Sequence, residues 1–124
     1  MTEYPGFAPP PLKSVLSILR VFLDASGGDP WHDALRTQVD AVVGVSGTFW
    51  FADLILEGPC EPVPSGTPIP LRRELLTRPG IEPPGSLILW ISKETGVIDC
   101  VEFAVVGKEM VQSYPTACDV EEWL

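Results

Sequence analysis

Proline decides where regular structure can form in this chain, and its distribution is uneven: 8 of the 14 prolines in the 124-residue sequence lie between Gly58 and Gly85. Each lacks the amide hydrogen that a strand or helix interior needs and fixes φ at about −65°. A regular central strand or a long helix is therefore not expected over residues 58–85. The segment is also too apolar to be a linker, so we read it as a long ordered excursion from one domain. Within it Thr67, Ile69 and Leu71 alternate around Pro68 and Pro70 as an edge strand would, and Arg72–Thr77 fits a short turn of helix. Pro5 and the Pro9-Pro10-Pro11 run make residues 1–11 an extended arm.

Outside these segments the apolar periodicity is clear. Leu12, Val15, Leu16, Leu19, Phe22 and Leu23 recur at helical spacing, and Asp24-Ala25-Ser26-Gly27-Gly28 ends that helix. Asp29-Pro30 resembles a cap followed by proline at the first helical position. It predicts a second helix from Pro30 to about Val43 that buries Trp31, Leu35, Val39 and Val42 and stops at Gly44. Val45–Leu56 reads as one strand, with Phe49, Phe51 and Ile55 on one face and Trp50, Leu54 and Leu56 on the other. One face is expected to meet the helices and the other something else. Leu87–Ser92, the polar turn Lys93-Glu94-Thr95-Gly96, and Val97–Val106 form a β-hairpin. Strict alternation puts Asp99 with Val101 and Phe103, and Glu102 with Ile98 and Cys100, on opposite faces. The expectation is an α+β fold in a single domain over residues 1–124. Two N-terminal helices (residues 12–43) pack on a mainly antiparallel sheet of three to five strands, mainly β over residues 45–124, with a C-terminal β-hairpin.

Charge and the scarcity of reactive groups narrow the function. Eight Lys and Arg against 17 Asp and Glu give a formal charge of −9, which repels phosphate backbones, so no nucleic acid and no membrane is expected as partner. The start Met1-Thr2-Glu3-Tyr4-Pro5 lacks the pattern of a signal peptide, and the longest clean apolar run, Leu87–Ile91, is too short to span a bilayer. The three cysteines, Cys60, Cys100 and Cys118, fit neither a redox pair nor zinc knuckles and read as reduced thiols of a cytoplasmic protein. The one histidine, His32, sits early in a helix with no nucleophile or second ligand at a useful spacing. Cys100 is flanked by Asp99 and Glu102, which oppose thiolate formation, so it reads as an inert, small apolar side chain in a strand. No phosphate loop or nucleophile elbow is present. The sequence thus predicts no catalytic residue, no metal and no cofactor.

What stands out is the last third of the chain, where two lysines face seven acids. Solubility alone accounts for such acids. The alternative is a docking face for a basic protein, built from Glu102, Glu109, Tyr114, Asp119, Glu121, Glu122 and Trp123, in which charge steers encounter and the rings anchor.

A resemblance favours the second reading. Asp33-Ala-Leu-Arg-x-Gln-Val39 leading to Val42-Val43-Gly44, the Val63–Pro68 stretch, Leu87–Ile91, Val101-Glu102-Phe103-Ala104, Glu109 and Tyr114-Pro115 follow one another in a familiar order. Over residues 31–115 the chain resembles small acidic actinobacterial proteins of the polymorphic-toxin immunity type. The resemblance implies a non-catalytic cytoplasmic inhibitor that binds a cognate, basic toxin domain and blocks it. The competing expectation is a self-associating subunit, a homodimer formed through the two-sided apolar strand around Trp50.

Overall fold

The computed structural model describes residues 8–71, 74–81, 84–105 and 114–122. Residues 1–7 of the expected arm, Arg72, Arg73 and Pro83 of the excursion, Val106, Glu109 and Trp123 lie outside the described residues. The elements are α1 (Leu12–Ala25), α2 (His32–Asp40), β1 (Val42–Gly47), β2 (Phe51–Leu56), β3 (Leu75–Thr77), β4 (Gly85–Ile91), β5 (Ile98–Val105) and β6 (Val120–Glu122). All six strands join one antiparallel sheet in the order β1-β2-β5-β4-β3-β6. The α+β class and the two N-terminal helices agree with the sequence, while the sheet has six strands rather than three to five.

Helix α1 starts at Pro11, whose carbonyl accepts from the Ser14 and Val15 amides, a place where the missing proline N–H is no loss. Its buried stripe is Val15, Ile18, Leu19 and Phe22, at i, i+3, i+4 and i+7, while Leu12, Leu16 and Leu23 are only partly covered. The Ser26 hydroxyl donates to the Leu23 carbonyl at 2.8 Å and closes the last turn. Helix α2 ends at Asp40, three residues before the expected Val43, because Val42 already pairs with Leu56 as the first residue of β1.

The expected single strand Val45–Leu56 is a hairpin instead. Gly47 adopts φ 83°, and an added Cβ there would lie 2.5 Å from the Phe51 carbonyl. The Thr48 amide donates to that carbonyl at 3.0 Å and the Thr48 hydroxyl accepts from the Phe51 amide at 3.1 Å, which turns the chain. Phe49 and Trp50 therefore leave the sheet. Phe49 is buried in a ring cluster with Trp50, Phe103 and Tyr114, with centroids 5.2–6.4 Å apart.

The proline-rich excursion behaves as its composition dictates, with two differences. Thr67–Leu71 forms no strand; Pro68 and Pro70 cannot donate, and a single bond from the Leu71 amide to the Leu89 carbonyl, 3.2 Å, holds it to β4. Leu75–Thr77 is strand β3 rather than helix, sandwiched between β4 and the short β6. The main hairpin, β4–β5, matches the sequence, but a bulge between Trp90 and Ile91 shifts its register so that Ile91 pairs with Ile98 and Asp99 is left over. Ile98 is thereby turned into the core beside Val101 and Phe103.

One buried polar side chain ties these parts together. Gln38 on α2 is fully buried; its Nε2 donates to the carbonyls of Glu61 (2.7 Å) and Gly96 (3.0 Å), and its Oε1 accepts from the Ile98 amide (2.8 Å). The Val63 amide also donates to the Gly96 carbonyl at 2.9 Å. Helix, hairpin turn and excursion thus share one set of bonds. Replacing Gln38 by Leu removes all three bonds and leaves the buried Ile98 amide without this partner. We expect Gln38→Leu to lower unfolding free energy by about 3 kcal/mol at unchanged m-value in urea titration. A loss below about 0.5 kcal/mol, the range of an ordinary surface substitution, would contradict this role.

Candidate functional site

Because α1 and α2 pack on the sheet face that carries Ala52, Val101, Phe103, Leu87, Leu89 and Leu75, the opposite face carries no helix among the described residues. Its side chains follow from the register. Asp53, Cys100 and Trp90 form one row across β2, β5 and β4; Phe51, Glu102 and Ile88 form the next; Ala104, Ser86 and Leu76 the third. Ile55 continues the β2 side of this surface opposite Gly44. Phe51 is 52% exposed and Ile55 47%, high values for large apolar side chains on a sheet.

At the hairpin end the face dips into a groove of about 470 Å³, lined by Phe51, Trp90, Lys93, Glu94, Asp99 and Glu102 among others. The bulge brings Asp99 to this groove, so Asp99 and Glu102 share a surface, contrary to the opposite faces that strict alternation predicts. The Trp90 indole donates to Glu102 Oε1 at 2.9 Å, which fixes the ring on the groove wall. No described ion pair engages Asp53, Asp99 or Glu102.

Cys100 lies at the centre of these acids. Burial pushes its thiol up to about 12, and the carboxylates of Asp53, Asp99 and Glu102, with Asp53 foremost, add to the shift. A neutral thiol at physiological pH is a poor nucleophile, as its sequence neighbours imply. Tyr114 is likewise raised, first by burial and then by Cys100.

Of the residues expected to form a C-terminal docking face, the described ones occupy separate places. Glu102 is on the open face. Tyr114 is 5% exposed in the ring cluster, so it supports the core rather than presenting an anchor. Asp119 closes a capping box with Thr116, accepting from its amide (2.9 Å) and hydroxyl (3.2 Å) at the start of a 3-10 turn. Glu121, opposite Leu76, pairs with Arg78 at 3.5 Å. The backbone of Glu122 pairs with Leu75, while its side chain, like Glu109 and Trp123, lies outside the described residues. Beside Glu102 the open face carries Phe51, Asp53, Ile55, Trp90 and Asp99. The alternation of Phe51, Asp53 and Ile55 was the available signal for three of them; the bulge that recruits Asp99 has none.

Elsewhere, His32 Nδ1 lies 3.2 Å from the buried Ser26 hydroxyl at the junction of the helices. Among the described residues no three His, Cys, Asp or Glu side chains converge on a metal-sized position, and no helix is long and apolar enough to cross a membrane. A larger groove, about 580 Å³, runs along the outer side of α1 between Leu12, Leu16 and Val21, with Lys13 and Arg20 against Asp24 on its walls.

The raised thiol makes a pH prediction. Below pH 9.0, the ordinary thiol value, folded and unfolded chains both hold the proton; between there and about 12 the unfolded chain releases it and the folded chain does not. Stability is therefore expected to fall as pH rises through that window, and Cys100→Ala should flatten the fall in alkaline urea titrations; an unchanged slope would contradict the assignment. In comparison with known proteins, no family model, curated protein or solved structure matches this chain.

Proposed function

We propose that this chain is a non-catalytic cytoplasmic binding protein of the immunity type, which captures a basic toxin domain on the open face of its sheet and blocks it. The observation that carries the reading is the combination of exposed Phe51 and Ile55 with acids that make no ion pair among the described residues, on one side of the sheet. Phe51, Ile55 and Trp90 supply apolar area for affinity, while Asp53, Asp99 and Glu102 reject neutral or acidic partners and speed encounter with a cationic one. The formal charge of −9 extends that attraction beyond the contact. The near-neutral Cys100 thiol at the centre of the face supports a role in binding rather than in nucleophilic chemistry.

Self-association is less well supported. Trp50, the anchor expected for a homodimer, is half-buried against Phe49 and Phe103. Stacking two open faces about a two-fold axis would bring like carboxylates together, which is unfavourable. The groove along α1 has two cations against one acid and lies outside the acidic surface.

Mixing this protein with the basic domain encoded beside its own gene is expected to give one stoichiometric complex in gel filtration. Two separate species would contradict the reading. In calorimetry, Phe51→Ser with Ile55→Ser is expected to weaken that complex at least about thirtyfold. Because both side chains are exposed, thermal unfolding of the free protein should barely change.

A further inference from the structure

The groove at the hairpin end of the open face is more specific than a general acidic surface. It rests on the docking reading above and names what the partner presents there. Trp90 forms one wall, and its ring cannot swing freely because its Nε1–H is committed to Glu102 Oε1 at 2.9 Å. Glu102 retains its second carboxylate oxygen, and the bulge sets the Asp99 carboxylate on the same groove. Phe51, the cross-strand neighbour of Glu102, stands 52% exposed at the side. The chain's own rim cation, Lys93, makes no described ion pair with these acids and has Glu94 beside it.

A flat aromatic wall next to two carboxylates is the pattern that a planar cation satisfies best. A guanidinium stacks on the ring and directs its N–H fork at carboxylates, whereas an ammonium keeps tighter hold of its water and offers no plane. We propose that this groove receives an arginine side chain of the basic partner, stacked on Trp90 and bonded to Glu102 and Asp99. A second copy of this chain is a poorer occupant, since its own open face would bring acids against acids.

The test uses the whole protein, a short oligo-arginine peptide and an oligo-lysine peptide of equal length and charge. Oligo-arginine is expected to move the Trp90 indole N–H resonance and to bind about tenfold more tightly than oligo-lysine. Glu102→Gln, which keeps an acceptor for the indole and so the local fold, should bring the two peptides to within about twofold, as should Trp90→Leu. Equal affinities for the two peptides, no binding of either, or an unmoved Trp90 resonance overturns the assignment. The docking reading fails separately. A partner domain that depends on Phe51 and Ile55 but tolerates Glu102→Gln and Trp90→Leu removes the arginine site and leaves the face. A partner indifferent to Phe51→Ser with Ile55→Ser removes the face itself. A concentration-stable dimer of the free protein in light scattering overturns both.

Discussion

The three hydrogen bonds of Gln38 are the constraint on which the rest of the molecule depends. Residues 58–71, rich in proline, form no strand that could anchor them, and a nine-residue helix is too short to be stable alone. A single buried amide solves both problems by offering two donors and an acceptor in a place that water does not reach. The donors take carbonyls from the excursion and from the hairpin turn; the acceptor takes the Ile98 amide just beyond the turn. Gly96 belongs to the same arrangement: it adopts φ 70°, and an added Cβ would stand 2.7 Å from Pro62. Excursion and hairpin turn are thus packed too closely for any side chain between them.

That anchorage has a consequence for function. With both helices on one face, the described residues cover the sheet on that side only, and its other side carries what the strands place there. Antiparallel sheets of this kind normally turn polar residues outward. Here the outward positions alternate between rings or aliphatic side chains and acids: Phe51, Asp53, Ile55 on β2 and Ile88, Trp90 on β4 beside Cys100, Glu102 on β5. The apolar positions lack a described cover and the acids lack a described counter-charge. Both deficits are made good by one kind of partner, a basic surface with aliphatic or aromatic projections.

Much of the architecture was legible from residue order. The helical stripe of α1 and the β4–β5 hairpin follow from periodicity alone, whereas proline content accounts for residues 58–71, which hold no strand, and misses β3, a short interior strand at Leu75–Thr77. What escaped was set by tertiary contacts or by single backbone choices. The run Val45–Leu56 reads as one strand because its composition is uniformly β-prone, yet Gly47 and the Thr48 side chain fold it back. Gln38 sits where a helix stripe calls for an apolar residue, and only its three partners, 23 to 60 residues away, explain it. At the site, Glu102 was identifiable from charge, but Tyr114 and Asp119 were drawn to the surface by composition when packing and capping claim them. Asp99 lay beyond reach, since alternation assigns it to the covered face and only the bulge releases it.

Hydroxyl-radical footprinting of the purified complex against the free protein shows whether the open sheet face is the partner's seat. Oxidation of Phe51, Ile55 and Trp90 is predicted to fall sharply on binding, while Leu16 and Val21 along α1 react as before. Protection of the α1 side chains, with Phe51 and Trp90 unchanged, would contradict the account.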